Sequence, residues 1–159
     1  MVFFQEVHRP SGIDFGRELD GVEGVHCVEG RRGTDLEPSL RPVLDGTRHE
    51  FHIVKRRYSG FIGTEFDIVL RGLNASTLIL VGGLTDVCVH YTFADAHQRD
   101  YYVRVVSDCV GGSSQYRHDA ALDAMEYLQT GALRTTDEIL AAFAELAADS
   151  APALQGANR

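Results

Sequence analysis

The sequence predicts an α/β fold of three layers, in which helices cover both faces of a mostly parallel, Rossmann-like sheet. Two observations predict it. Short apolar and β-branched runs alternate along the chain with segments of helical periodicity. One run, residues 78–81 (LILV), is apolar throughout, as in a parallel strand that is covered on both faces. We expect one domain over residues 1–148 and a disordered tail over 149–159.

The first two strands are predicted at residues 2–7 (VFFQEV) and 51–55 (FHIVK), which are short aromatic and β-branched runs. Between them, residues 9–50 are irregular and rich in glycine, arginine and acidic residues, with one possible helical turn at 35–40. A connection of this length is usually a functional loop or a lid.

The rest of the chain alternates helices and strands. Thr64 can cap the first helix, and Thr135 and Glu138 have the spacing of a capping box for the last one. The predicted elements are, in order, a helix at 65–73, a strand at 78–81, a helix at 86–99, a strand at 102–106, a helix at 117–129 and a helix from 135 through 147. Parallel sheets place their chemistry at the carboxyl ends of the strands.

Composition and charge exclude several classes of function. The formal charge of −8 comes from 23 acidic against 15 basic residues, which is unfavourable for binding nucleic acid. No apolar run approaches the ~20 residues that a membrane span needs, so we expect no membrane partner. The three cysteines are odd in number and lack a C-x-x-C pair, which indicates free thiols in the cytoplasm.

Two residues point to chemistry. Fourteen of the fifteen basic residues are arginine, and Lys55 is the only lysine. An ammonium can be buried and change its pKa where a guanidinium cannot, so this position is predicted to need a lysine. Cys88 falls in the first helical turn after the strand at 78–81, with Thr85 or Asp86 as the cap. Unpaired N–H groups and the helix dipole favour a thiolate there, lowering the thiol pKa from its usual ~8.5. Cys109 is expected to be a packed small residue.

Three segments in this order resemble the isochorismatase-like cysteine hydrolases, a family that includes nicotinamidase, N-carbamoylsarcosine amidase, biuret hydrolase and ureidoacrylate hydrolase. They are VKRRYSGFIGT with Lys55, GGLTDVCVHYTFADA with Cys88, and SDCVGGSS followed by His118. The resemblance covers roughly residues 2–147. It implies that Cys88 is the nucleophile that attacks an amide or carbamoyl carbon and forms a thioester, releasing ammonia. It further implies that Lys55 holds the thiolate, that the peptide bond between Gly83 and Leu84 is cis, and that the N–H groups of Leu84 and Cys88 form the oxyanion hole.

One catalytic residue of the family has no counterpart. The family's aspartate ends a first, central strand in a D-x-Q or D-x-N setting, whereas residues 2–7 match the family's second strand. We therefore expect the domain to be N-terminally incomplete, with the first central strand missing. Three explanations stay open: a fragment of a longer hydrolase, a degenerate non-catalytic homologue that acts as an oligomer partner, or a base supplied by another residue, with Glu6 and Asp86 as candidates. Exposed strand edges and the family's dimers and tetramers favour a homo-oligomer.

The resemblance also implies where a substrate and a metal would bind. Glu6, His8, Asp14 and His26 fall where the nicotinamidase branch places its metal ligands, which leaves a metal-assisted nicotinamidase as an alternative. Two of the four differ in type from that branch, and we predict no metal and no cofactor. Without a metal, the expected substrate-lining residues are Gln5, His8, His26 and Gln115. The predicted substrate is a small linear amide or carbamoyl compound.

Overall fold

The computed structural model describes residues 1–40 and 49–150. The chain divides into two compact units, Met1–Ala75 and Ser76–Arg159, which are described separately below. The single domain of residues 1–148 therefore stays a prediction. Residues 149 and 150 of the predicted tail belong to the last helix, and the remainder of that tail, 151–159, lies outside the described residues.

The first unit contains a two-stranded parallel sheet of β1 (Val2–Glu6) and β2 (Phe51–Lys55). Short 3₁₀ turns lie in the connection, and α1 (Phe66–Gly72) follows β2. The aromatic ring of Phe4 packs edge-on against Phe66 with 4.8 Å between ring centroids. Ile53 and Phe66 are both buried, so one face of α1 and the two strands share a small apolar core.

The second unit contains a three-stranded parallel sheet in the order β3 (Thr77–Gly83), β4 (Tyr102–Gly111) and β5 (Leu133–Arg134). A single π-helical turn at Thr85–Val89 leads from β3 into α2 (His90–His97). The remaining helices are α3 (Gln115–Leu128) and α4 (Thr136–Ser150). The apolar residues of this unit that have no exposed surface include Phe93, Val103, Val105 and Met125.

The β3–β4 pairing changes register near its carboxyl end. Leu80 lies opposite Val105, but Gly82 lies opposite Val110 and Gly83 opposite Gly111. β4 therefore carries three more residues than β3 over this stretch, which makes it longer than the strand predicted at 102–106. The two glycine-rich strand ends come together at Gly83 and Gly111 as a result.

The parallel α/β architecture predicted from the sequence is confirmed, with β2 found at its predicted bounds. The strands form two sheets where the alternation predicts one. Among the residues that the structure describes, no helix is both long and apolar enough to cross a membrane.

Candidate active site

Glu6 and Lys55 form a buried ion pair at the carboxyl ends of β1 and β2. The strand register places the two residues opposite each other, so their side chains leave the sheet side by side. The Lys55 ammonium donates to the Glu6 carboxylate and also to the Arg57 carbonyl at 3.0 Å. Lys55 is only 5% exposed. Burial raises the pKa of Glu6, but the hydrogen bond and the charge of Lys55 outweigh it and hold that pKa below its ordinary value.

Two histidines converge on the same carboxylate. The Nε2 atoms of His8 and His26 both lie 3.4 Å from Glu6 Oε1. His8 is 1% exposed and stacks on Phe15 at a centroid distance of 4.2 Å. The His26 Nδ1 atom lies 2.8 Å from the carbonyl of Gly24, which is an acceptor only, so Nδ1 carries a proton. In this tautomer of the neutral ring, Nε2 is the atom that has a lone pair.

Glu6, His8 and His26 therefore form a group that can hold a metal ion, because one ligand atom from each lies within 4.8 Å of the others. Asp14 lies outside this group. Its carboxylate accepts from the N–H of Arg9 at 2.9 Å and pairs with Arg56 at 3.3 Å. Of the four residues matched to the nicotinamidase ligands, three converge in the structure, and the fourth, Asp14, lies beside His8 with its Oδ1 3.7 Å from His8 Nδ1.

Gln5 is half-buried and both ends of its amide have protein partners. The amide nitrogen donates to the Thr34 carbonyl, and the amide oxygen lies 2.9 Å from His52 Nε2. These contacts tie β1 to the loop and to β2. Both groups of the Gln5 amide are thus engaged within the protein, and the substrate contact expected of Gln5 stays a prediction.

Cys88 lies in the π-helical turn that follows β3, half-buried. The peptide bond between Gly83 and Leu84 is cis, at the position that the resemblance names. Leu84 begins the turn in an extended conformation, and its carbonyl accepts from the N–H groups of both Val87 and Val89 at 3.1 Å. The predicted side-chain cap by Thr85 or Asp86 is wrong, because the N-cap position is Leu84 and the turn has no side-chain cap. The side chains of Thr85 and Asp86 have partners elsewhere.

Those partners lie in the loop before α3 and in its first turn. Asp86 accepts from the Ser113 N–H at 2.8 Å and from the Ser113 hydroxyl at 2.5 Å. Thr85 has no exposed surface, and its hydroxyl lies 2.9 Å from His118 Nδ1. Burial raises the pKa of Asp86, but the two Ser113 hydrogen bonds outweigh it and lower that pKa below its ordinary value.

Two further residues lie at the surface. Gln115 is exposed and donates to Asp119 on its own helix at 2.8 Å, so its contact to a substrate amide stays a prediction. Cys109 is exposed, with its sulfur 3.1 Å from the Thr136 hydroxyl, and the expectation of a packed small residue is wrong. None of the three cysteines forms a disulfide. The contacts Thr85–His118 and Asp86–Ser113 were not predicted from the sequence. The only sequence feature that indicates them is that Gly112, Ser113 and His118 follow one another within seven residues.

Comparison with known proteins gives a consistent result. The family described as the isochorismatase domain matches residues 1–138. An isochorismatase-like hydrolase from Alkaliphilus metalliredigens is 32% identical with a TM-score of 0.76, over 89% of this chain and 72% of that one. A pyrazinamidase/nicotinamidase from Streptococcus mutans is 29% identical with a TM-score of 0.73, over 84% of this chain and 74% of that one.

A curated relative is the ureidoacrylate amidohydrolase RutB of Methylorubrum extorquens, which is 36% identical over 59% of this chain and 34% of its own length. The chain spans about half the length of the first curated relatives that it matches. The family match nevertheless covers the first compact unit and most of the second, and it includes Glu6, Lys55 and Cys88. The chain therefore belongs to the isochorismatase family.

Proposed function

We propose that the protein hydrolyses a C–N bond in a small linear amide or carbamoyl compound, with Cys88 as the nucleophile. The observation that carries the proposal is the place of Cys88 in the helical turn directly after a parallel strand. Such a turn offers backbone N–H groups to a thiolate and to the oxygen of a reacting carbonyl. The relative named as a ureidoacrylate amidohydrolase supports a carbamoyl substrate.

In the proposed reaction the Cys88 thiolate attacks the carbonyl carbon and forms a C–S bond, while the carbonyl electrons move onto oxygen. The N–H groups of Leu84 and Cys88 donate to this oxyanion. The C–N bond then breaks, the nitrogen takes up a proton and leaves as ammonia, and water hydrolyses the thioester to regenerate the thiol. We assign to Lys55 the stabilisation of negative charge during these steps, as the resemblance implies.

A proton acceptor is still needed for the thiol. Of the two carboxylates that the sequence offers, Asp86 is engaged by both the N–H and the hydroxyl of Ser113. Glu6 is engaged as well, by the Lys55 ammonium, so both carboxylates stay candidates for the base. The Lys55 charge that lowers the pKa of Glu6 keeps this carboxylate ionised at neutral pH, as an acceptor must be, although it also makes Glu6 a weak base.

The test measures ammonia release from ureidoacrylate and from nicotinamide. We expect turnover of the linear ureido compound by the wild-type protein and loss of turnover in Cys88→Ser. Cys109→Ser is the matched control and should retain wild-type activity, because this thiol lies on the exposed surface of β4. Lys55→Arg should reduce kcat by at least ~100-fold, since a guanidinium cannot replace a buried ammonium. Retained turnover in Cys88→Ser would refute the cysteine mechanism.

A metal-assisted nicotinamidase is a second candidate, favoured by the convergence of Glu6, His8 and His26. Two imidazoles and a carboxylate suit zinc, iron or manganese, and the tautomer of His26 fits a ligand that binds through Nε2. A bound ion would act as a Lewis acid toward a carbonyl oxygen. This candidate predicts that Zn²⁺ binds in calorimetry, that His26→Ala abolishes the binding, and that chelation reduces nicotinamide hydrolysis. Chelation should not affect a metal-free carbamoyl hydrolase.

The degenerate homologue remains the non-enzymatic alternative, in which the chain acts as an oligomer partner. It predicts no turnover of either compound and an ordinary reactivity of Cys88 toward iodoacetamide. We propose a homo-oligomer in the cytoplasm for the catalytic protein, consistent with three cysteines that form no disulfide. Analytical ultracentrifugation measures the oligomeric state independently of activity.

A further inference from the structure

Two consecutive residues connect the turn of Cys88 to the start of α3. Thr85 contacts His118 Nδ1 through its hydroxyl at 2.9 Å, and Asp86 accepts two hydrogen bonds from Ser113 at 2.8 and 2.5 Å. Thr85 and Asp86 are the first two residues of the π-helical turn, and Cys88 is the fourth. The turn is therefore fixed at its beginning to side chains and backbone that lie 27 to 33 residues later.

The chain passes very close to itself at this junction. A Cβ atom placed on Gly112 would lie 2.7 Å from His118 Cβ and 3.0 Å from Asp86 Oδ1. Both distances are below ordinary van der Waals contact, so only glycine allows this approach. The neighbouring Gly111 has no atom within 4 Å of the same position. Close packing of the 112–118 segment against Asp86 leaves little freedom for the turn to tilt.

The start of α3 is itself well anchored. The Ser114 side chain caps the helix by accepting from the Arg117 N–H at 3.4 Å, and the His118 N–H donates to the Ser114 carbonyl at 2.9 Å. α3 is buried on one side through Ala121 and Met125. The partner that holds Thr85 and Asp86 is thus a regular helix end packed on the unit's core.

A π-helical turn is a rare conformation that occurs frequently at functional sites. In this turn the Leu84 carbonyl accepts from two backbone N–H groups, those of Val87 and Val89, each at 3.1 Å. Displacement of the turn by even 1 Å moves a reacting atom out of line and can reduce a rate ~100-fold. Thr85 and Asp86 act on the same backbone that carries Cys88.

We propose that Thr85, Asp86, Ser113 and His118 are positioning residues that hold the turn of Cys88 in its reactive orientation. The inference rests on the proposed function, in which Cys88 is the nucleophile. The four residues act through the backbone and take no part in bond making. Loss of one contact is expected to lower kcat and the reactivity of the thiol while substrate affinity changes little.

The test compares single hydroxyl deletions in the second unit. Thr85→Val removes the contact to His118, and Thr85→Ser keeps the hydroxyl as the conservative rescue. Ser113→Ala removes one of the two bonds to Asp86 at an exposed position. Ser107→Ala is the matched control, because the Ser107 hydroxyl bonds the Arg134 carbonyl at 3.2 Å, between β4 and β5.

Each variant is measured for thermal midpoint, kcat, KM and the rate of Cys88 alkylation by iodoacetamide from pH 5 to 9. Cys109 serves as the internal reference thiol within the same molecule. We expect Thr85→Val and Ser113→Ala to lower kcat about 10- to 100-fold with KM within about threefold. Their Cys88 alkylation profiles should shift toward that of Cys109. Thr85→Ser and Ser107→Ala should retain wild-type kcat and alkylation.

The outcomes separate the two proposals. If Cys88 of the wild-type protein is alkylated like Cys109, both the nucleophile and its positioning residues are refuted. If wild-type Cys88 reacts faster than Cys109, but Thr85→Val and Ser113→Ala match Ser107→Ala in kcat and alkylation, the positioning role is refuted and the proposed function stands. An equal loss of kcat in Thr85→Ser also contradicts the positioning role, because that variant retains the hydroxyl.

Discussion

Removal of the Glu6 charge tests the buried ion pair at the ends of β1 and β2. Glu6→Gln keeps the size of the side chain but leaves the Lys55 ammonium, which is 5% exposed, without its carboxylate. Breaking a buried pair by removing one partner costs about 3–5 kcal/mol. The Glu6 side chain keeps 14% exposure and the Arg57 carbonyl still accepts from Lys55, so we take the lower end, about 3 kcal/mol.

The expected loss is large enough to be measured in two ways. For a chain of 159 residues, about 3 kcal/mol corresponds to a fall in Tm of roughly 6–12 °C. Urea denaturation followed by circular dichroism gives the free energy of unfolding directly. The control is Asp67→Asn, which breaks the exposed Asp67–Arg71 pair on α1 and should cost less than about 0.5 kcal/mol.

A double-mutant cycle then isolates the interaction between the two groups. Glu6→Gln combined with Lys55→Met removes both charges, and we expect it to be more stable than Glu6→Gln alone, because no uncompensated charge stays buried. A cost below about 0.5 kcal/mol for Glu6→Gln would refute the reasoning, since it would mean that water solvates the ammonium in the folded protein.

The same pair predicts a pH dependence. Because the folded-state pKa of Glu6 is lowered, its ionisation contributes stability that is fully present above the unfolded pKa, about 4.3. That contribution is lost as the pH falls through the lower, folded-state value. Glu6→Gln should therefore show a flatter loss of stability between neutral pH and about pH 3 than the wild-type protein.

Three further predictions concern the second unit. Gly112→Ala should destabilise the protein by about 1–3 kcal/mol in urea denaturation, whereas Gly111→Ala should stay within about 0.5 kcal/mol, because only the former places a Cβ against His118. Thr135→Ala removes the cap of α4 and should cost about 1 kcal/mol, seen as faster amide hydrogen exchange in that helix; unchanged exchange would contradict the cap. Asp86→Asn should flatten the fall in stability below about pH 4. The lowered pKa of Asp86 contributes stability that is fully present above the unfolded pKa and is lost as the pH falls through the folded-state pKa. An unchanged fall in the free energy of unfolding at acid pH, measured by chemical denaturation, would argue against this role.

Local patterns predicted the elements whose signals lie within a few residues. β2 has its predicted bounds, because the four residues before Lys55 are apolar or aromatic. The capping box is confirmed, with the Thr135 N–H donating to Glu138 at 2.7 Å and the Glu138 N–H to the Thr135 hydroxyl at 3.3 Å. Both signals depend only on neighbouring residues, so no tertiary contact overrides them.

The remaining features depend on contacts between distant parts of the chain. A short polar residue before a helix predicts a cap, but the Asp86 carboxylate bonds Ser113, 27 residues later. β5 was missed because two residues are too few to show a period of two. Convergence of His8 and His26 on Glu6 depends on the path of an irregular loop, which hydropathy does not specify.

Because Lys55 is buried, the rate at which its ε-amine is acylated reports local opening of the structure around the ion pair. The sequence contains no other lysine, so the ε-amine of Lys55 and the N-terminal amine are the only targets for an amine-specific acylating reagent. The N-terminal amine belongs to Met1, which is 72% exposed, whereas the ε-amine must first leave Glu6 and reach solvent. With opening and closing fast relative to acylation, the ratio of the two rates, each first divided by the rate of the same kind of amine in an unstructured peptide, gives the equilibrium for exposure of Lys55. A single mass-spectrometric time course therefore measures local stability around the ion pair without a denaturant.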